Sequence, residues 1–266
     1  MTRIFCFASA LFLLFSFQNA GEKPVLYIIG DSTVKNGSGK GDGGLWGWGD
    51  FIDAFFDTAK IEIQNHAIGG RSSRTFLTEG RWDRIMDALK PGDFVLIQFG
   101  HNDGGSLNAG RARASLKGSG DELQEVVMEA TGQKETVYTY GWYLKQYIAG
   151  AKSKGAVPVV LSPVPRNIWN GGKTVRASAD YGKWAKEAAE AGGAFFIDLN
   201  ELIAAKYDAL GQDYVTQTFF LTDHTHTNEA GARVNAGTVM EGIMDLKKCS
   251  LRKYANAQGR KAKKHK

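Results

Sequence analysis

Cysteine is almost missing from this chain: two occur in 266 residues, Cys6 and Cys249. Cys6 lies in an apolar N-terminal stretch that has the character of a leader, so Cys249 is alone in the remainder. A lone thiol builds no disulfide framework within one molecule, and the fold must rest on its own packed core. Nor does Cys249 have a nearby partner of the kind a thiol protease needs. Long apolar runs are equally scarce. The run Ile4 to Phe17, preceded by Arg3 and followed by Gln18-Asn19-Ala20, is shorter than the roughly 20 residues that span a bilayer. It has the pattern of a secretory signal peptide over residues 1–20, with cleavage expected near Ala20-Gly21. No later run is long enough to span. The mature chain is therefore expected to be soluble, secreted or periplasmic, without stable membrane association.

Acidic residues are absent from Lys247 to Lys266, where nine of the 33 lysines and arginines lie. Without that segment, 24 basic residues face 28 acidic ones, so the formal charge of +5 belongs to the tail and the body is acidic. A basic terminus can serve nucleic acid or a membrane surface. The plainer expectation is a disordered, solvated tail over residues 247–266, with no nucleic-acid partner. Histidine is also rare, at five residues, which narrows the choice of any catalytic base.

What is present is a series of short apolar, β-rich runs: Val25 to Ile29, Ile61 to Asn65, Phe94 to Phe99, Val157 to Leu161 and Phe195 to Ile197. Helical spacing separates them, notably over Trp48 to Thr58, Tyr140 to Lys154 and Ala177 to Ala191. A last helix is expected from Asn228 to about Leu246, capped by Thr227 or Asn228. Apolar strands alternating with helices predict an α/β domain over residues 21–246, with about five parallel strands covered on both faces. The stretch from Asp103 to about Glu122 is rich in Gly, Ser and Asn and is expected to be a binding loop or disordered.

In an open parallel sheet, ligands bind beyond the carboxyl ends of the strands. The residues found there are Gly30-Asp31-Ser32, Ile68-Gly69-Gly70-Arg71, Gly100-His101-Asn102-Asp103 and Ser162-Pro163-Val164. Ser32 stands where a sharp turn can expose a hydroxyl, although a turn serine would look the same. A serine nucleophile needs a base, and the base needs an orienting group. Thr222-Asp223-His224-Thr225-His226 precedes the last helix, and Asp223 and His226 are near enough for one loop to hold a carboxylate against an imidazole. Acyl transfer also needs donors aimed at the developing oxyanion. The Ser32 and Gly70 amides and the Asn102 side chain are the candidates.

These blocks, in this order, resemble the SGNH or GDSL-type hydrolases. The fuller stretches Phe99 to Ser106 and Asp223 to Thr227, with Ala230-Gly231-Ala232, are similar to rhamnogalacturonan acetylesterases. Thr33 stands where the wider family often has leucine, and Gly69 beside Gly70 leaves the oxyanion glycine open to a shift of one. The resemblance implies a flavodoxin-like three-layer α/β/α fold and a secreted serine esterase that removes acetyl groups from pectic polysaccharide. By motif position, Ser32, His226 and Asp223 would form the triad. Ser32, Gly70 and Asn102 would form the oxyanion hole.

Other readings compete. Gly39-Lys40-Gly41-Asp42-Gly43-Gly44 fits a dinucleotide pattern but does not directly follow a strand, so no cofactor is expected. Asp223, His224 and His226 are enough for a catalytic metal with one open position, although that leaves Ser32, Gly70 and Asn102 without a role. Xylan acetates, lipids, thioesters or other short-chain esters are alternative substrates, and a non-catalytic carbohydrate-binding protein is a further alternative. Trp46, Trp48 and Trp169 are candidate sugar platforms, whereas Trp82, Trp142 and Trp184 are expected in the core. Arg71, Arg74 and Arg166 are candidates for meeting the carboxylates of an acidic polysaccharide, and His224 for facing the substrate.

Overall fold

Short β-rich runs too apolar to face water on either side must be covered on both. In the computed structural model, which describes residues 22–262, the runs at 25–30, 94–98 and 157–161 are buried almost throughout, whereas that at 62–65 is only partly covered, as befits an edge strand. The signal-peptide expectation for residues 1–20 lies outside the described residues. In chain order the elements are β1 (Val25–Gly30), β2 (Glu62–Asn65), α1 (Ser73–Thr78), α2 (Arg81–Ala88), β3 (Phe94–Gln98), a hairpin of β4 (Leu123–Val127) and β5 (Lys134–Tyr138), α3 (Tyr140–Ser153) and β6 (Val157–Leu161). There follow a small hairpin of β7 (Trp169–Asn170) and β8 (Lys173–Thr174), then α4 (Tyr181–Gly192), β9 (Phe195–Ile197), α5 (Leu199–Leu210), α6 (Gln212–Phe219), α7 (Glu229–Asp245) and α8 (Ala257–Lys261).

Five strands form one parallel sheet in the order β2-β1-β3-β6-β9. Successive side chains on a strand point to opposite faces, and each face here has its own core. Tyr27, Ile29, Val95, Ile97 and Val160 pack with Phe76 of α1, Trp82 of α2, Leu144 and Tyr147 of α3 and Ala185 of α4. Leu26, Ile28, Leu96, Val159, Leu161 and Ile197 pack with Ile203 of α5, Val215 of α6 and Val239 and Met240 of α7. The result is the expected three-layer α/β/α sandwich. The strand order reverses direction at β1, so the crevice between the carboxyl ends of β1 and β3 is the favoured place for a ligand in this topology.

Two expectations need correction. The segment 48–58 is not an α-helix but two 3-10 turns, Trp48–Asp50 and Ile52–Phe55. Its amides close tighter turns, Phe51 N donating to Trp48 O at 3.2 Å and Phe56 N to Asp53 O at 3.0 Å, while Trp48 N and Gly49 N tie the segment to Thr33 O and Val34 O at 3.1 and 2.9 Å. The basic tail is ordered through Ala262. Its charges conceal apolar residues at short intervals, and Cys249, Leu251 and Ala255 are buried. Tyr254 lies edge-on to Phe94 at 5.8 Å, at the amino end of β3. Asp57 N donates to Tyr254 O at 2.8 Å, and the Asn256 amide donates to Ala54 O and Phe56 O at 2.8 and 3.1 Å. The structured domain therefore extends beyond residue 246, and its basic end packs away from the strands' carboxyl edge.

If that packing is structural, Leu251→Ala should destabilise the protein by about 2–5 kcal/mol, the usual cost of truncating a fully buried leucine. Denaturant unfolding measures it; a change below about 0.5 kcal/mol, typical of surface substitutions, would mean that the tail does not contribute to the core.

Candidate active site

The turn after β1 is shaped by crowding. A β-carbon at Gly30 would lie 2.5 Å from both Gln98 O and Val34 Cγ2, so only glycine lets the strand end there. The chain then folds over Asp31, whose carbonyl accepts from Val34 N and Lys35 N, both at 3.1 Å. A buried chain of side chains braces this turn from below. Trp48 Nε1 donates to Gln98 Oε1 at 2.8 Å, Gln98 Nε2 to Thr33 Oγ1 at 2.7 Å, and Thr33 Oγ1 to Asp31 Oδ1 at 2.7 Å. A leucine at position 33 could not pass on that bond. Ser32 sits between these fixed neighbours at 9% exposure, its hydroxyl at the sheet edge.

His226 Nε2 lies 2.8 Å from Ser32 Oγ, and His226 Nδ1 lies 2.7 Å from Asp223 Oδ2. The other Asp223 oxygen accepts from the amides of Thr225 and His226 at 2.6 and 2.8 Å, which folds the loop back on itself. Burial pushes the Asp223 carboxyl up, but the His226 ring and these two amides outweigh it and bring the pKa to about 2. An ionised Asp223 favours the tautomer with its proton on Nδ1, leaving Nε2 free to accept from Ser32. The loop is tied at both ends. Trp46 N donates to Thr227 O at 2.9 Å, and Asn228 caps α7 by accepting from Gly231 N at 3.1 Å. Arg166, after β6, donates to Thr225 Oγ1 and, at 3.1 Å, to His101 O.

The third strand end closes the crevice. Asn102 Nδ2 donates to Arg71 O at 2.9 Å, so one amide hydrogen steadies the 69–71 loop and the other is free of that bond. Asp103, fully buried, accepts from Ser73 N at 3.1 Å and Ser115 Oγ at 3.1 Å and so ties the start of α1 to this loop. Burial raises its carboxyl to about 7 against the pull of those donors. Gly69 abuts Ser32: a β-carbon there would lie 3.5 Å from Ser32 Cβ. Gly70 follows with φ 78°, a left-handed conformation that favours glycine. Among the described residues, the Ser32 and Gly70 amides donate to no acceptor of the chain. His101 places a buried, unpartnered Nε2 behind the crevice. Burial lowers its pKa to about 4, against the opposing charge of Asp31, which keeps the ring neutral.

Several sequence candidates lie elsewhere. Trp48 is no sugar platform: it is fully buried and its indole N–H is committed to Gln98. Trp46 and Trp169 are half-buried against the core, and Trp169 Nε1 donates to Asn167 Oδ1 at 2.7 Å. Trp82 is buried, whereas Trp142 is half-buried and stacks on Tyr138 at 3.9 Å. Arg74 is not available to a ligand. At 1% exposure it pairs with Glu135 at 2.7 Å and donates to Leu107 O and Ala114 O, both at 2.8 Å. Arg166 is engaged by protein acceptors, and His224 lies 3.3 Å from it on the surface. Arg71 pairs with Glu79 at 2.8 Å on a groove beside Gly70. Asp223, His224 and His226 do not converge on one point, and no metal-binding group of three such residues occurs among the described residues. The stretch 39–44 is a loop with a short 3-10 turn at Asp42–Gly44, detached from the end of β1.

Comparison with known proteins agrees with this architecture. Residues 28–234 match the GDSL-like lipase/acylhydrolase family. The chain is 37% identical over 219 residues to rhamnogalacturonan acetylesterase of Emericella nidulans, covering 82% of this chain and 84% of that protein. It is 34% identical over 226 residues to the probable rhamnogalacturonan acetylesterase YesY of Bacillus subtilis, covering 83% and 93%. The crystal structure of Axe2, an acetylxylan esterase from Geobacillus stearothermophilus, has the same fold. It superposes with a TM-score of 0.54 at 18% identity, over 83% of this chain and 94% of that one.

The depressed Asp223 pKa has a definite sign. Its contribution to stability is present above the ordinary carboxylate range and lost only as pH falls through about 2. The acid limb of the rate profile between pH 4 and 9 should therefore not report protonation of Asp223. Asp223→Asn should lower kcat by about 10²–10⁴, less than loss of the serine. Steady-state kinetics from pH 4 to 9 test this, and a variant with undiminished kcat would remove Asp223 from the mechanism.

Proposed function

The chain belongs to the GDSL-like lipase/acylhydrolase family, and from that premise we propose that it is a secreted or periplasmic serine esterase that removes acetyl groups from rhamnogalacturonan. It is a carboxylic ester hydrolase. The observation that carries the mechanism is the unbroken contact from Asp223 through His226 to Ser32, at 2.7 and 2.8 Å. The polysaccharide reading is supported by two relatives of at least 34% identity, both bearing the name rhamnogalacturonan acetylesterase.

In the proposed reaction, His226 Nε2 takes the Ser32 proton as Oγ attacks the acetyl carbonyl. The tetrahedral oxyanion is held by the Ser32 and Gly70 amides and the Asn102 side chain, each such donor being worth about 2.7–4 kcal/mol. Its collapse breaks the bond to the sugar oxygen, which leaves as an alcohol with the proton from His226. Water, deprotonated by the same imidazole, then attacks the acetyl-serine and releases acetate. Asp223 stays ionised throughout and stabilises the imidazolium. The proton that His226 takes from the water passes to Ser32 as acetate leaves, which restores the free enzyme.

Export is part of the same reading, supported by the Arg3 and Ile4 to Phe17 pattern. Sequencing the exported protein should find Gly21 at its amino terminus; an intact Met1 would overturn it. Ser32→Ala and His226→Ala should each lower acetate release from acetylated rhamnogalacturonan by about 10⁴–10⁶, with the melting curve nearly unchanged. Parallel assays on acetylated xylan and a short-chain ester test the substrate. Full activity in either variant would refute the mechanism, and preference for xylan would refute the substrate while leaving the chemistry intact.

A further inference from the structure

Beside the oxyanion glycine lies a groove of about 370 Å³, whose lining includes Gly69, Gly70, Arg71, Arg111 and Arg113. It adjoins the catalytic serine. A β-carbon on Gly69 would lie 3.5 Å from Ser32 Cβ, and one on Gly70 would lie 3.5 Å from Arg113 Nη1. Three guanidinium groups therefore line the wall next to the ester-binding position.

Their charges are poorly compensated. Glu79 is the acidic residue lining the groove, and it is shared between Arg71 at 2.8 Å and Arg81 at 2.6 Å. Among the described residues, Arg111 and Arg113 form no ion pair. Arg113 donates to Gly70 O at 3.2 Å and is half-buried, while Arg111 is exposed. Burial, and to a lesser extent Arg111 and Arg71, pull the Arg113 pKa down, while the more distant Asp103 and Asp31 carboxylates oppose that shift without forming an ion pair with it. The backbone between them is also strained. Ala112 has φ 44°, the one left-handed non-glycine among the described residues, at a cost of about 1–2 kcal/mol. Such strain persists where surrounding structure imposes it, commonly at ligand sites. Here it presents two arginines to one groove.

We propose that this groove is a carboxylate subsite, in which Arg111 and Arg113 seat a uronate of the polysaccharide backbone while an acetyl ester lies against Ser32. The inference rests on the reading of this chain as a rhamnogalacturonan acetylesterase and extends it. It gives the enzyme a means of selecting an acidic backbone over a neutral one carrying the same ester. A planar guanidinium suits a carboxylate because both can form two parallel hydrogen bonds. Arg113 links the subsite to catalysis as a positioning residue, since the same side chain holds the Gly70 carbonyl.

The test is inhibition of p-nitrophenyl acetate hydrolysis by a deacetylated rhamnogalacturonan oligosaccharide and by its neutral methyl ester. The acid form should inhibit the wild-type enzyme about tenfold more tightly, the lower end of a charge-assisted hydrogen bond's worth. The preference should shrink in 1 M salt. In Arg111→Gln the ratio of the two inhibition constants should fall to within about twofold, and Arg111→Lys should restore part of it. Being a ratio within each variant, it does not depend on that variant's rate. Equal inhibition of the wild type by both forms, no inhibition by either, or an unchanged ratio in Arg111→Gln would overturn the subsite. Failure of the parent reading appears separately, as a wild-type enzyme that releases no acetate from acetylated rhamnogalacturonan.

Discussion

The hydrogen bond between His226 and Ser32 joins residues 194 positions apart, so neither end can hold it locally and the whole sandwich must. Ser32 is set by the end of β1 and braced from β3 through Gln98 and Thr33. His226 is carried on a loop clamped by Asn228 at the start of α7, by Trp46 from the loop after β1, and by Arg166 from the loop after β6. A 2.8 Å contact leaves little slack, because hydrogen bonds weaken steeply with distance and angle. The physical role of the buried parallel sheet is to bring these loops to one edge and keep them there.

Two buried polar chains convert sheet geometry into site geometry. Trp48, Gln98, Thr33 and Asp31 form one; Asn102 and Asp103, with Arg71, Ser73 and Ser115, form the other. Buried polar groups are costly when unpaired and rigid when satisfied. The first chain fixes the turn that carries Ser32, and the second fixes the loop that carries Gly70. Arg74 extends the second outward by tying α1 to β5 and to the loop around Leu107 and Ala114. That loop in turn presents Arg111 and Arg113 beside Gly70, so the arginines of the groove and the loop that carries Gly70 share one framework.

Much of this was legible in the sequence, for identifiable reasons. The inner strands β1, β3 and β6 announce themselves because a strand buried on both faces is a short unbroken apolar run, whereas the edge strand β2, with Glu62, Gln64 and Asn65, gives a weaker signal. The candidate site was legible because topology concentrates function at the strands' carboxyl ends and the chemistry-bearing residues cluster there. What the sequence concealed depends on tertiary partners. Periodicity over Trp48 to Thr58 suggested a helix, but the segment is moored to Thr33 and Val34 and its own amides reach only three residues back, to Trp48 O and Asp53 O. The charge of the tail masked Cys249, Leu251 and Ala255, which are buried in the same core cluster as Phe94. Trp48 and Arg74 looked available to a ligand because residue type alone does not reveal that an indole N–H or a guanidinium already has a buried partner. The hairpin β4–β5 follows a loop whose composition gave no strand signal of its own.

The central claim, a nucleophile at Ser32 activated by His226, is tested most directly by covalent labelling. Treatment with a fluorophosphonate followed by peptide mass spectrometry should find one adduct, on Ser32, formed in step with loss of esterase activity and greatly slowed in His226→Ala. An adduct on another serine that accounts for the inactivation, or an enzyme that remains active and unlabelled, would contradict the account.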